Sequence, residues 1–298
     1  MMFNDDRMIH HGGAPAPFGV SGLRAGSTVV IKYGGAAMSG ETAEAGFARD
    51  VVALRNAGVN VVVVHGGGEE TTRMAARLGV EAEFVEGHRR TDETMIEIVT
   101  MVLGGRVNKN ITRLVNMAGA AAIGLCGVDH ELIRARKLHH EAGDLGLVGE
   151  VESVNVEFLR LLLGSGIIPV IAPLGLGKDG EVYNINADPA AAAIAAALNA
   201  DALIYMSNIA GIDVGGMVAG VLTMEEGEEL IALGTISGGM IPKVRSAFAA
   251  LTAGVRSVRI IDGRVPHILP ELLSGRGTGT AIVSGINASI FFEEGVLK

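Results

Sequence analysis

The sequence predicts an α/β fold built on parallel strands, and three observations carry that prediction. The β-branched run that ends in Lys32, within the heptapeptide Val29–Gly35, and the run Asn60–Val64 (NVVVV) each read as a buried strand. Each runs straight into glycines, Gly34-Gly35 after the first and Gly66-Gly67-Gly68 after the second. Two such turns close together suggest neighbouring parallel strands whose carboxyl ends share a crevice, where open α/β sheets bind ligands. The composition agrees: 49% hydrophobic residues, 4% aromatic and no Trp suit strands and helices packed in layers, and offer few platforms for stacking bases.

A chain of 298 residues is long enough for one large α/β domain or two lobes. Its net charge of −9 argues against a nucleic-acid surface. A single cysteine, Cys126, excludes an internal disulfide and any Cys-rich metal site. No apolar run reaches the length of a membrane span, and Met1–Gly26 lacks the apolar core of a signal peptide, so the expectation is a cytoplasmic protein with no membrane partner.

In chain order, residues 1–26 are rich in Gly, Pro and Asp without periodicity and read as a tail. Phe47, Val51 and Leu54 recur at helical spacing within Thr42–Ala57, and Gly58 ends that helix. Phe84–Asp92 (FVEGHRRTD) reads as a short strand, a glycine turn and a helix start. A long helix follows to Met117 with an apolar stripe of Met95, Val99, Val102, Ile111 and Val115, and Gly104-Gly105 is its weak point. Ala120–Leu125 is a strand, with Cys126 after it as an inert core thiol. Leu132–Lys137 and Leu145–Val151 read as a hairpin flap whose turn holds His139 and His140 as solvated side chains. Phe158–Leu163 is a short helix and Ile167–Ala172 a strand stopped by Pro173. Asp188 is a natural N-cap for an alanine-rich helix Pro189–Leu198, with Pro189 in the first helical position. Ala202–Met206, Ser257–Ile261 and Thr280–Val283 complete the strands, Glu225–Leu233 is an acidic helix, and residues 285–298 form a second tail.

Chemistry concentrates at the glycine turns. Lys32 stands where the first strand runs out, and a strand ending in a Gly-rich turn before a helix points N–H groups at an anion. An anion site with Lys32 as its charge and an ordinary loop lysine both fit that heptapeptide. Ser237-Gly238-Gly239 feeds a helix carrying Val244, Phe248 and Leu251, and Lys243 lies in its first turn, against the helix dipole. Such a local conflict is expected where a charge must meet an anion, though a solvated lysine fits too. Arg89 and Arg90 fit either solvated charges or a carboxylate clamp. Neither glycine turn is a Walker A loop, and GxGxxG is absent.

Taken together, VVIKYGGAAM (Val29–Met38), VVHGGG (Val63–Gly68), VNK (Val107–Lys109), DLGLVGEV (Asp144–Val151), YNINAD (Tyr183–Asp188) and GGMIPKV (Gly238–Val244) resemble the amino acid kinase family, in its N-acetylglutamate-phosphorylating branch. The resemblance covers Thr28 to Val283 in order. It implies a three-layer αβα sandwich with a mainly parallel central sheet over residues 27–284. The N-lobe (about 27–175) would take the acyl-amino acid and the C-lobe (about 176–284) ATP. The implied reaction moves the γ-phosphoryl group of ATP, with Mg2+, onto the side-chain carboxylate of N-acetyl-L-glutamate, in arginine biosynthesis. By the family pattern Lys32 and Lys243 stabilise the transition state and Asp188 holds them. Gly67, Gly68, Arg89 and Asn184 bind the acceptor, while Gly34, Gly35, Ser207, Asn208, Gly211 and Ser237 bind ATP. The resemblance also implies a homodimer through the long helix, with its apolar stripe as the interface.

The chain departs from the family pattern at three places. Glu69-Glu70-Thr71-Thr72 follows the second glycine turn, where two carboxylates would compete with a substrate carboxylate for the same amides. His88 and Arg90 add positive charge nearby, which together suggests a rewired acceptor pocket. Asn208 replaces the usual Asp of the nucleotide loop, and Arg276 takes the acidic position of arginine-inhibited relatives, so no arginine feedback is expected. A kinase for a related acylated or carrier-linked amino acid, and a non-catalytic relative, are the alternatives to the implied reaction.

Overall fold

The computed structural model describes residues 23–38, 40–274 and 279–284. The tails expected at 1–26 and 285–298 lie outside the described residues except for 23–26, as does Arg276.

Eight strands form the central sheet. From one edge to the other these are β14 (Val221–Thr223), β16 (Thr280–Val283), β15 (Val258–Asp262), β11 (Ala202–Ser207), β1 (Thr28–Tyr33), β2 (Asn60–His65), β8 (Ile168–Ala172) and β5 (Ala122–Cys126). Every neighbouring pair is parallel except β15 with β16. The expected strand-to-glycine turns are therefore adjacent: Lys32 of β1 pairs with Val64 of β2 on one side and Tyr205 of β11 on the other.

Alternate side chains of each central strand enter different cores, as the period of two requires. Val29, Ile31, Val61 and Val63 join one apolar cluster, and Val30, Val62 and Val64 the other. The first is covered by α1 (Glu41–Asn56), the long helix and α9 (Ile268–Glu271), and the second by α5 (Val156–Gly164), α6 (Ala187–Leu198) and α8 (Met240–Thr252). This is the three-layer αβα sandwich. Among the described residues no helix is long and apolar enough to cross a membrane.

The long helix has three parts. α3 (Glu93–Val99) starts on Asp92, whose Oδ1 accepts the Met95 N–H at 2.8 Å. Thr100–Val107 is wound as a π-helix, and α4 (Asn108–Met117) completes it. The weak point read at Gly104-Gly105 falls inside the wide turn, where the penalty for leaving α geometry is smallest. Its apolar stripe is no subunit interface: Met95, Val99, Val102, Ile111 and Val115 are at most 2% exposed within this one chain. A helix packed against a sheet spends its apolar face there, and only the opposite face is left for a partner.

The hairpin of β6 (Ile133–Lys137) and β7 (Val148–Val154) forms, antiparallel as read. It is no free flap. β9 (Leu174–Gly177) and β10 (Val182–Ile185) close it into a four-stranded barrel, a long-range pairing that local periodicity does not reveal. The closure sets Asn184 beside Val148. His140 is likewise not a solvated turn residue, since its ring lies 5.4 Å from that of His88. β3 (Phe84–Val85) and β4 (His88–Arg89) make a small hairpin, as do β12 (Asp213–Val214) and β13 (Met217–Val218). α2 (Gly68–Arg77) begins within the second glycine turn, and α7 (Met224–Ala232) starts on a Thr223–Glu226 capping box.

The cap expected of α6 is displaced by two residues. Asn186, not Asp188, is the N-cap: its Oδ1 accepts the Asp188 N–H at 3.0 Å, and Pro189 sits third in the helix. An amide does the capping, so the Asp188 carboxylate is left for other partners.

Candidate active site

Three charged side chains from distant segments meet at the carboxyl end of the sheet. Lys32 comes from β1, Asp188 from the first turn of α6 and Lys243 from the first turn of α8. Lys32 Nζ lies 2.9 Å from Asp188 Oδ1, an ion pair not aligned as a hydrogen bond, and Lys243 Nζ donates to Asp188 Oδ2 at 2.7 Å. All three side chains are only 12–15% exposed. Burial alone would raise the Asp188 pKa, but the two ammonium groups outweigh it and hold the carboxyl below its usual range. Burial pushes the Lys243 ammonium pKa down and Lys32 adds to that, with Asp188 opposing. The Tyr205 ring backs Lys243 Nζ at 5.2 Å. The arrangement is a compact positive centre with one negative group to orient it.

Beside this centre the two glycine turns touch. A Cβ on Gly34 would come within 3.2 Å of Gly66 Cα, a tight contact that favours glycine there. The carbonyls of the second turn are all taken by protein donors. Gly66 O accepts from His65 Nδ1 at 2.7 Å, and Gly67 O from the Thr71 N–H and Oγ1, both at 2.9 Å. Gly68 O accepts from Thr72 Oγ1 at 3.0 Å and Arg89 Nη2 at 2.8 Å. With its carbonyls occupied and its amides at the start of α2, the turn presents donors to an anion.

His65 has no exposed surface, and burial drives its pKa down to about 4, so the ring is neutral near pH 7. The Gly66 carbonyl can only accept, which puts the proton on Nδ1 and leaves Nε2 to accept from Asn108 Nδ2 at 3.1 Å.

A cleft of about 240 Å³ joins Lys32, Gly35, Gly67, Gly68, Arg89 and Asn184. Five of these were expected at either the reacting centre or the acceptor; Gly35, expected with the nucleotide, lines the same cleft. Arg89 is 8% exposed and lies over the Phe84 ring at 4.6 Å. Its Nη2 donates to Gly68 O and to Thr72 Oγ1 at 2.7 Å, whereas Nη1 is buried with no hydrogen-bond partner. An unmet buried donor is costly, and a guanidinium edge matches a planar carboxylate. Asn184 Nδ2 donates to Thr91 Oγ1 at 3.1 Å, which in turn donates to Arg89 O at 2.8 Å, so the barrel and the β3–β4 hairpin hold each other.

The charges thought to rewire this pocket mostly point elsewhere. Glu70 is bound by Arg73 and by Arg106 Nε, the latter at 2.5 Å, so it does not compete for the glycine amides. Glu69 and Glu70 border a larger adjoining cleft of about 820 Å³, which shares Gly35, Gly67 and Gly68 with the first. Arg90 is exposed and pairs with Glu83 at 3.3 Å. Only His88 lines the cleft, against His140, whose Nε2 is 3.6 Å from Glu86 Oε2.

The expected nucleotide residues fall on two elements. Ser207 ends β11, two residues beyond the Tyr205 that backs Lys243, and Asn208 follows it. Gly211, at φ 154°, has no room for a Cβ, which would strike Val218 and Thr280. Ser237 lies on a different element, the turn before α8, where its carbonyl accepts the Met240 N–H at 3.2 Å. Among the described residues no cluster of three or more His, Cys, Asp or Glu could hold a metal ion. The sequence gives no role to His65, Thr72 or Asn108; their only signal is their place inside or next to the motifs.

The site is a crevice at the carboxyl end of a mainly parallel sheet, with two lysines on one aspartate beside paired glycine turns, and its lysines and N–H groups suit an anion. The amino acid kinase family profile matches residues 27–262, and the chain belongs to that family. Among curated relatives, the acetylglutamate kinase of Chlorobium chlorochromatii (strain CaD3) is 47% identical over 260 residues, covering 87% of this chain and 91% of the relative. That of Acidiphilium cryptum (strain JF-5) is 49% identical over 270 residues, covering 87% and 90%. Among solved structures, N-acetylglutamate synthase from Neisseria gonorrhoeae, complexed with coenzyme A and N-acetyl-glutamate, superposes with TM-score 0.79 at 27% identity. The match covers 87% of this chain but spans only 60% of the synthase. The family resemblance and the αβα fold read from the sequence are both borne out.

Proposed function

We propose that the protein is an ATP-dependent kinase that phosphorylates the side-chain carboxylate of N-acetyl-L-glutamate, a step of arginine biosynthesis. The observation that carries the reading is the unpartnered Nη1 of Arg89, in the same cleft as Lys32. A dicarboxylate fits: one carboxylate meets the guanidinium and the other reaches the lysines. The acetylglutamate kinase names of two relatives near half-identity support that acceptor.

In the reaction an oxygen of the acceptor carboxylate attacks the γ-phosphorus, forming an acyl O–P bond as the bond to the β–γ bridging oxygen breaks and ADP leaves. The carboxylate is already ionised, so no general base is needed, and catalysis is positioning and charge stabilisation. Lys32 and Lys243 neutralise the charge on the phosphoryl oxygens in flight, and Asp188 keeps both ammonium groups aimed at it. Gly67 and Gly68 offer amides to the acceptor with Arg89 and Asn184, and Gly34, Gly35, Ser207, Asn208, Gly211 and Ser237 take the nucleotide. Both Asp188 oxygens are engaged by lysines, so the crevice fits a cation that arrives on the ATP phosphates, as magnesium does with most of its ligands from phosphate and water. When bound, Mg2+ would supply charge neutralisation to the phosphates.

The protein acts in the cytoplasm as a homodimer. Its interface uses the outer side of the long helix and the sheet edge, where Met101, Met117 and Ile123 are exposed. A kinase for a different acyl-amino acid rests only on His88, the one unusual side chain in the cleft, whose burial lowers its pKa.

Purified protein with MgATP is offered a panel of acyl amino acids and the acyl phosphate trapped with hydroxylamine. Product from N-acetylglutamate supports the reading. Product only from another acid establishes the alternative, and none from any acid means a non-catalytic relative.

A further inference from the structure

The Arg89 guanidinium is set by a hydroxyl that belongs to another element. Thr72 lies in the second turn of α2, four residues after Gly68. Its Oγ1 gives its own hydrogen back to Gly68 O at 3.0 Å, which leaves its lone pairs for Arg89 Nη2 at 2.7 Å. Arg89 Nη2 spends its other hydrogen on the same Gly68 O at 2.8 Å. The three atoms close a small ring in which every hydrogen has one acceptor. Both hydrogens of Nη2 are thereby consumed, and the Phe84 ring covers one face of the guanidinium at 4.6 Å. Nη1 is buried and without a partner.

We infer that Thr72 is the positioning residue of the acceptor site: it fixes the rotation of Arg89 so that Nη1 faces the carboxylate of the incoming substrate. The inference rests on the reading of the cleft as the acceptor site. Without the hydroxyl, one Nη2 hydrogen is released and the guanidinium swings about its remaining bond to Gly68 O. The same hydroxyl links Arg89 to the glycine turn whose amides face the acceptor, so both halves of the clamp share one reference point. A specific role for Thr72 is testable because its side chain is exposed, and Val keeps both its shape and its β-branch on α2.

Thr72→Val and Thr72→Ser are compared with the wild type by steady-state kinetics and by crystal structures. Thr72→Val is expected to raise the KM for the acceptor about tenfold, the loss of one charge-assisted hydrogen bond, while kcat and the KM for ATP change less than threefold. Thr72→Ser is expected to restore the wild-type KM, because it keeps the hydroxyl. An unchanged acceptor KM in Thr72→Val overturns the inference, and so does a parallel loss of kcat and ATP affinity, which means damage to the fold. The crystal structures need no turnover: Arg89 turned away from its wild-type rotamer in Thr72→Val supports the inference, and an unmoved Arg89 refutes it. A wild-type enzyme inactive on every acid refutes the proposed reaction instead and leaves the structural comparison to decide on Thr72.

Discussion

Lys243 Nζ and Asp188 Oδ2 stand 2.7 Å apart, although 55 residues separate them in the chain and the lysine sits at the end of a helix that repels it. The fold accepts that unfavourable place because Asp188 compensates it, and Lys32 takes the other carboxylate oxygen. Substituting Lys243 with Ala is therefore expected to spare the fold and to lower kcat about a hundredfold or more, with both KM values within a few-fold. Steady-state kinetics checks this. Equal losses in kcat and in affinity mark the lysine as a binding residue only.

Asp188→Asn removes the counter-charge of two ammonium groups at once. The lysines then repel each other in a site that is mostly buried, so the variant is expected to lose about 3 kcal/mol of stability as well as most of its turnover. Urea unfolding beside the kinetics tests both parts. A variant as stable as wild type shows that the lysines simply turn out to solvent.

Arg89→Lys keeps the charge and loses the planar fork. A rise of tenfold or more in acceptor KM is expected, with the KM for ATP unchanged. Calorimetric titration with N-acetylglutamate gives the same answer in the absence of nucleotide, and undiminished acceptor affinity excludes a guanidinium clamp.

His65 makes the fold acid-sensitive. Its pKa is about 4 in the folded chain and near 6.5 when unfolded. Between those values the unfolded chain binds a proton that the native chain does not, so stability falls as pH falls, by about 3 kcal/mol across the window. His65→Gln is expected to be less stable at pH 7 and to show a flatter decline between pH 6.5 and 4.5 in urea midpoints. Parallel declines in the two proteins rule out His65 as the sensor.

The fold was legible because its signals are local. Val29, Val30 and Ile31 are all buried because both faces of a parallel strand are covered, and a continuous β-branched run is the mark of that condition. The glycine turns were legible for the same reason, as adjacent glycines mark a bend, and Gly34 packs tightly on Gly66. The stripe on the long helix was also seen, but periodicity reports that a face is apolar and not what covers it. The sheet of the same chain covers it here. Asp188 shows a further limit. Asp and Asn are equally good caps, and only the structure shows that Asn186 performs the capping and frees the carboxylate.

The sequence by itself determined the layered α/β architecture and the family, and it singled out Lys32, Asp188, Lys243 and Arg89 as candidates. The architecture follows from composition and period, and the family and the candidates from the resemblance of short motifs. Only the tertiary structure decided where the charges point: Glu70 toward Arg73 and Arg106, Arg90 toward Glu83, and Arg89 toward Thr72 with one nitrogen left over. Long charged side chains choose among several partners within reach. That choice is set by burial and by hydrogen-bond geometry between segments far apart in the chain, which no local pattern encodes.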